Sequence, residues 1–119
     1  MAKFVLVDDS NVAINFLKNI LTDAGHEIVA TGKNGLDGFD LFMTHKPDII
    51  TLDITMPIMN GIECLKKLME VAPSAKAIMV TSIGKDSLID EVKTIGAKAV
   101  LVKPIQKEDV LKVVDKILK

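Results

Sequence analysis

The chain has 119 residues, enough for one domain, residues 1–119, that buries a core without disulfides or structural metals. Hydrophobic residues make up 49% of it, and the net charge of −1 gives no electrostatic reason to expect a nucleic-acid or membrane partner. The single cysteine, Cys64, cannot form an internal disulfide, which agrees with a reducing environment. Residues 4–7 are too few for a signal-peptide core or a membrane span. We therefore expect a cytoplasmic globular domain.

Five short apolar runs alternate with five helix-like stretches. Strands are predicted at residues 4–7, 27–31, 49–53, 77–81 and 99–102, and helices at residues 11–24, 35–45, 61–71, 87–95 and 107–118. Glycine or proline follows the first four helices, as is typical of helix ends. The short connections and nearly continuous apolar strands predict an α/β fold, doubly wound around a five-stranded parallel sheet that is buried on both faces.

The first predicted helix carries an apolar stripe that is expected to face the sheet. Its members recur at helical spacing: Ala13, Leu17, Ile20, Leu21 and Ala24. Val12 and Phe16 lie off this stripe, and Ile14 borders it. We therefore expect Val12 and Phe16 to be exposed.

Polar residues follow four of the predicted strands. Asp8 and Asp9 come after the first strand, Asp53 ends the third, Thr81 ends the fourth and Lys103 follows the fifth. Because the carboxyl ends of parallel strands line one crevice, we expect these side chains to lie together. Three crowded carboxylates repel one another, so the ionised cluster needs a cation. A hard, oxygen-preferring ion such as Mg²⁺ fits that need.

Motifs along the whole chain resemble those of response regulator receiver domains, the CheY-like family of two-component signalling. They are the pair Asp8-Asp9, the run Asp53-Ile54-Thr55-Met56-Pro57 leading into Met59-Asn60-Gly61, the run Val80-Thr81-Ser82, and Gly96-Ala97 followed by Lys103-Pro104. Each motif is weak alone, but together in this order they make a strong signal. The resemblance implies a flavodoxin-like (βα)5 fold with strand order 2-1-3-4-5.

The resemblance also implies roles for the acidic residues. Asp53 is implied to be the phosphoacceptor, forming an acyl phosphate as carboxylate nucleophiles do. Asp9 and Asp53 are implied to bind Mg²⁺ directly, while Asp8 acts mostly through water. The backbone carbonyl of Thr55 is implied to complete the protein ligands, since Mg²⁺ usually takes few carboxylates and keeps several waters.

Lys103 and Thr81 are implied to bind the phosphoryl group. Lys103 pairs with Asp53 at rest and with a phosphoryl oxygen after transfer, and a cis peptide bond to Pro104 is typical of the family. Thr81 is implied to donate its hydroxyl to the phosphoryl group. Val100 stands where many receivers carry Tyr or Phe, so an aromatic rotamer switch is absent at this position.

The resemblance implies a stand-alone response regulator, expected to be a monomer and not an enzyme acting on other substrates. Its expected partners are a histidine kinase or histidine phosphotransfer protein and a downstream target protein, because no effector domain follows Lys119. We expect Val12 and Phe16 to dock the helix of the kinase. A chemotaxis-type messenger is the favoured function, and a phosphorelay intermediate that passes the group to a second histidine is the close alternative.

A phosphatase and a flavin-binding protein are the two alternatives from other functional classes. A small Mg²⁺-dependent phosphatase of the haloacid dehalogenase type would also use an aspartate nucleophile, but such enzymes typically have a second aspartate two residues later as a general acid, where this chain has Thr55. A flavin mononucleotide binder would share the fold. However, Asp8 and Asp9 would repel its phosphate, and the chain has no Trp or Tyr to stack on the flavin ring.

Overall fold

A computed structural model describes residues 1–119 and contains five strands and five helices. The strands are β1 (Lys3–Val7), β2 (Glu27–Gly32), β3 (Ile49–Asp53), β4 (Ala77–Thr81) and β5 (Ala99–Val102). The helices are α1 (Asn11–Asp23), α2 (Gly35–His45), α3 (Gly61–Val71), α4 (Asp86–Ile95) and α5 (Lys107–Leu118). All neighbouring strands run parallel, in the order β2-β1-β3-β4-β5, so the predicted fold and strand order are confirmed.

The element boundaries differ from the predictions by one residue at several ends. Helix α1 ends at Asp23, and Gly25 follows with a φ of 91°, a conformation that glycine adopts without steric cost. One expectation for α1 was wrong, because Ala24 is exposed, and Ile14, which was placed at the border of the stripe, is buried. Ala24 lies beyond the last helical residue, where the chain turns towards β2, whereas Ile14 lies one turn before Leu17 on the buried face.

The sheet is covered on both faces by apolar side chains. On one face, Val5, Leu52 and Met79 pack against residues of α2, α3 and α4. On the other face, Phe4 and Val80 pack with the buried side chains of α1 and α5, among them Ile14, Leu17, Leu21, Val110 and Val114. The central strands β3 and β4 are buried at every residue, as expected of a doubly wound sheet. None of the five helices combines the length and apolar character that a bilayer crossing needs.

The strand register brings the predicted site residues to one edge of the sheet. Val7 of β1 is level with Leu52 of β3, so Asp8 follows β1 next to the last residue of β3, Asp53. Thr81, which ends β4, is level with Val102 of the neighbouring strand β5, and Val102 is the residue before Lys103. The carboxyl ends of β1, β3, β4 and β5 therefore form a single crevice, the arrangement expected of parallel α/β sheets.

Candidate functional site

Three carboxylates meet at the carboxyl edge of the sheet. One oxygen from each of Asp8, Asp9 and Asp53 lies within 4.8 Å of the others. Asp8 and Asp53 are buried, with 3% and 6% of their surface exposed, whereas Asp9 is exposed at the mouth of the crevice. The sequence-based expectation that these side chains lie together therefore agrees with the structure.

Asp8 is held in place by the start of α1. Its Oδ1 accepts a hydrogen bond of 2.9 Å from the backbone N–H of Ser10, and Ser10 in turn caps α1 by accepting from the N–H of Ala13. The other carboxylate oxygen, Oδ2, is buried and accepts no well-oriented hydrogen bond. A buried carboxylate oxygen with spare acceptor capacity needs a positive charge close to it.

Lys103 places its ammonium group between two of the carboxylates. Its Nζ lies 3.0 Å from Oδ2 of Asp8 and 3.8 Å from Oδ2 of Asp53. The closer partner is thus Asp8, which differs from the expected pairing with Asp53. Asp8 Oδ2 is buried and has no other hydrogen-bond donor, so the ammonium group compensates its charge. The Lys103–Pro104 peptide bond is cis, as the resemblance implied.

The surroundings of Asp53 disfavour its charged form. Burial raises the pKa of Asp53 from 3.8 to about 6, and the negative charge of Asp8 adds to the effect. The positive charge of Lys103 lowers this pKa, the charge of Asp9 raises it, and a hydrogen bond from the Thr55 backbone lowers it. The crevice therefore carries uncompensated negative charge, and a bound cation would relieve it.

Thr81 closes the crevice on the β4 side. It is buried, and its hydroxyl oxygen accepts a hydrogen bond of 3.0 Å from the backbone N–H of Ile83. The backbone oxygen of Thr81 accepts from the N–H of Lys103 at 2.7 Å. The Thr81 side chain therefore links the β4–α4 loop to the crevice, and a change in its hydrogen bonding would act on that loop.

Close backbone packing fixes the loop between β3 and α3, which carries Thr55. A side chain at Gly61 would overlap the backbone oxygen of Asp53, so only glycine allows α3 to start this close to the crevice. Earlier in the same loop, the backbone oxygen of Met59 accepts a hydrogen bond of 2.6 Å from the N–H of Gly35, the first residue of α2. Sequence reasoning did not find these constraints, although the Asn60-Gly61 pair marked the loop.

Between Pro57 and Met59 the same loop contains a tight turn. The N–H of Met59 donates to the backbone oxygen of Pro57 at 2.7 Å, and the intervening Ile58 has a φ of 69°. A β-branched residue in this conformation is strained. The contacts of Gly35 and Gly61 with the loop keep it in place.

An apolar surface adjoins the crevice on the α1 side. Val12 and Phe16 are exposed, as expected, by 80% and 44%. With Pro104 and Ile105 they border a shallow cavity of about 330 Å³ that also reaches Lys103. Apolar side chains therefore lie beside the residue that contacts both Asp8 and Asp53.

Comparison with known sequences identifies related proteins over the full length of the chain. The chemotaxis protein CheY of Listeria monocytogenes is 41% identical over 119 residues, which is all of both chains. The chemotaxis protein CheY of Thermotoga maritima is 38% identical over 117 residues, 98% of each chain.

Comparison with solved structures and family models agrees. The fold matches a chain of the CheX-CheY-BeF3-Mg complex from Borrelia burgdorferi with a TM-score of 0.96 and 36% identity, covering 98% of this chain and 89% of that one. The family model for the response regulator receiver domain matches residues 4–115. The chain therefore belongs to the response regulator receiver domain family.

Proposed function

We propose that this receiver domain accepts a phosphoryl group on Asp53 in a Mg²⁺-dependent reaction and signals by binding a target protein, in a chemotaxis-type pathway. The observation that supports this most is the crevice itself, where Asp8, Asp9 and Asp53 converge beside Lys103. The chemotaxis role is supported by full-length similarity to CheY proteins of several bacteria.

The donor groups of the crevice fit Mg²⁺. Mg²⁺ prefers oxygen ligands, keeps several waters and usually takes one or two carboxylates. Asp9 and Asp53 would be its direct ligands together with the Thr55 carbonyl, and Asp8 would act through water. Bound there, the ion would supply positive charge against the phosphoryl oxygens.

The transfer itself needs mainly positioning and charge. A carboxylate oxygen of Asp53 attacks the phosphorus atom of a phosphohistidine, and the phosphorus–nitrogen bond breaks to release the imidazole. Lys103 moves from Asp8 and Asp53 to a phosphoryl oxygen, and the Thr81 hydroxyl donates to another oxygen once its bond with Ile83 is released. Phosphorylation thereby changes the hydrogen bonding of the β4–α4 loop.

Hydrolysis of the acyl phosphate ends the signal. A water molecule attacks the phosphorus of the acyl phosphate, the bond to the Asp53 oxygen breaks, and inorganic phosphate leaves while the carboxylate is restored. The chain thus assists its own phosphorylation and dephosphorylation and does not act on other substrates. We propose that it does so as a cytoplasmic monomer.

The apolar cavity beside Lys103 is the proposed docking site for the phosphohistidine donor. A donor helix lying on Val12 and Phe16 would bring its phosphohistidine to the crevice that holds Asp53. Phe16→Ala should therefore slow transfer from a phosphorylated kinase but leave phosphorylation by acetyl phosphate unchanged, because this small donor needs no docking surface. Equal slowing with both donors would argue against docking at this site.

The acceptor assignment is tested with acetyl phosphate and Mg²⁺. The wild-type chain should gain one phosphoryl group that hydroxylamine removes, and Asp53→Asn should gain none. Asp48→Asn is a suitable control, since Asp48 is a carboxylate at the opposite edge of the sheet, where it accepts from the N–H of Lys3. If Asp53→Asn were labelled on a serine or threonine to the same extent as the wild type, the assignment of Asp53 as the acceptor would be wrong.

The phosphorelay alternative predicts a further transfer. Purified phosphorylated protein would be mixed with a panel of histidine phosphotransfer domains, and the label would be followed. A chemotaxis-type messenger releases its label as inorganic phosphate. Rapid appearance of the label on one phosphotransfer domain would favour the relay.

A further inference from the structure

Asp9, the carboxylate at the mouth of the crevice, has no side-chain contact that holds it in place. It is exposed, and its carboxylate takes part in none of the hydrogen bonds or ion pairs of the chain. One of its oxygens nevertheless lies within 4.8 Å of oxygens of Asp8 and Asp53. The position of Asp9 therefore depends on how the β1–α1 loop, residues 8–10, is anchored on each side of it.

On the side before Asp9, the loop is anchored by the end of β2. The backbone N–H of Asp8 donates to the backbone oxygen of Gly32, the last residue of β2, at 3.1 Å. Asp8 is also buried, so its position is well determined. This contact fixes the loop up to Asp8 and leaves Asp9 itself unrestrained.

On the side after Asp9, the loop is anchored by Lys33, the residue that follows Gly32. The ammonium group of Lys33 donates a hydrogen bond to Oδ1 of Asn11, the first residue of α1. Lys33 is exposed and has no carboxylate within ion-pair distance, so this side-chain amide is the partner of its charge. Two successive residues at the end of β2 thus hold the loop on both sides of Asp9.

The start of α2 fixes the backbone from which Lys33 extends. Asn34 is buried and caps α2 by accepting a hydrogen bond of 2.8 Å from the N–H of Asp37. The Asp37 carboxylate accepts in turn from the Asn34 side chain at 3.3 Å, and the N–H of Lys33 lies 3.5 Å from it. Lys33 therefore reaches Asn11 from an ordered helix start.

We propose that Lys33 is a positioning residue for metal binding. By holding Asn11, it keeps the β1–α1 loop in the conformation that places Asp9 beside Asp8 and Asp53. Groups that orient metal ligands from outside the coordination sphere contribute to metal affinity in this way. The proposal rests on the proposed function, because the position of Asp9 matters through Mg²⁺.

The charge of Lys33 and its hydrogen bond have opposite effects on Mg²⁺ affinity. A positive charge near the crevice repels an incoming cation, so loss of the charge alone should strengthen Mg²⁺ binding. Loss of the hydrogen bond should weaken it, because a ligand that is not held in place must be ordered when the ion binds. The direction of the change therefore separates positioning from charge.

The test measures Mg²⁺ affinity of the full chain by calorimetry at constant ionic strength. Lys33→Met removes the donor, and Asn11→Ala removes the acceptor but leaves the charge. Each should weaken Mg²⁺ binding roughly fivefold, as expected for the loss of one hydrogen bond. Because both substitutions break the same contact, the double variant should bind no more weakly than Lys33→Met alone.

Two further variants serve as controls. Lys33→Arg keeps a donor for Asn11 and should retain wild-type affinity. Lys18→Met makes the same charge change at an exposed lysine of α1 that forms no ion pair, and it should not weaken Mg²⁺ binding. In an Asp9→Ala background, Lys33→Met should cause no further weakening, because the ligand that Lys33 positions is gone.

A second readout needs no metal. In ¹⁵N relaxation of the metal-free protein, the amides of Asp9 and Ser10 should become more mobile in Lys33→Met and stay unchanged in Lys18→Met. The proposal is overturned if Lys33→Met binds Mg²⁺ as tightly as wild type or more tightly, or if Asn11→Ala has no effect. A wild-type chain that binds no Mg²⁺ would instead refute the proposed metal site, and unchanged relaxation in Lys33→Met would then overturn the role of Lys33 as well.

Discussion

Replacing Asp53 with asparagine should stabilise the metal-free protein, because the carboxylate is held where its charge is unfavourable. The pKa of Asp53 rises from 3.8 to about 6 on folding, with burial as the largest cause and the charge of Asp8 next. At about 1.4 kcal/mol for each tenfold change in proton affinity, this corresponds to ~3 kcal/mol. Asparagine has nearly the same shape but carries no charge, so it should recover most of this free energy.

The direction of the Asp53 pKa shift determines how the stability gained by Asp53→Asn depends on pH. The folded state holds the proton on Asp53 more tightly than the unfolded state, so ionisation costs stability as pH rises. Below 3.8 the carboxyl group is protonated in both states and the cost vanishes. From there to about 6 the cost grows, and above about 6 it is fully present. The benefit of Asp53→Asn should therefore be large at about pH 8 and small at about pH 4.

The assay is urea denaturation with a chelator present, performed at both pH values. Asp90→Asn is the matched control, since Asp90 is exposed on α4 and should change little at either pH. Saturating Mg²⁺ should stabilise the wild type more than Asp53→Asn, because binding to the folded state adds to its stability. An Asp53→Asn protein that is no more stable than wild type at about pH 8 would show that the ionised Asp53 carboxylate does not destabilise the fold.

Further predictions concern the metal, the relay, the loop and the cysteine. Asp9→Ala should weaken Mg²⁺ binding more than Asp8→Ala in a calorimetric titration, and equal affinities would contradict direct ligation by Asp9. Thr81→Ala should keep acetyl phosphate labelling but reduce the amide shifts that beryllofluoride causes in the β4–α4 loop; a full wild-type shift pattern would exclude the threonine as the relay. Gly61→Ala should destabilise the fold by about 1–3 kcal/mol in denaturation, since its methyl group would overlap a backbone oxygen of β3, and wild-type stability would contradict that contact. Cys64 is buried and its pKa is raised to about 12, so it should react with a thiol reagent only after unfolding; rapid reaction in the native protein would be inconsistent with this burial.

The sequence predicted most of the fold because the strong patterns coincide with strong physical constraints. Strands β3 and β4 are buried on both faces, which requires the continuous apolar runs that mark them. Residues at the carboxyl ends of parallel strands must share an edge, so Asp8 and Asp53 could be placed together before their distances were known. The strand order came only with the family resemblance, since apolar patterns do not specify which strands are neighbours.

Other features depend on side-chain positions that no local pattern specifies. Lys103 lies closer to Asp8 than to Asp53, at 3.0 Å against 3.8 Å, and the sequence pattern gives no reason to prefer either carboxylate. The burial of Ile14 follows from how α1 sits on the sheet.

Chemical trapping can show directly whether Asp53 carries the phosphoryl group. Borohydride reduces an aspartyl phosphate to homoserine, so the protein would be treated with acetyl phosphate and Mg²⁺, reduced, digested and mapped by mass spectrometry. Homoserine is expected at position 53, and it should be absent when Mg²⁺ is chelated. A reduced residue at another aspartate, or none at all in protein that has taken up label, would contradict it.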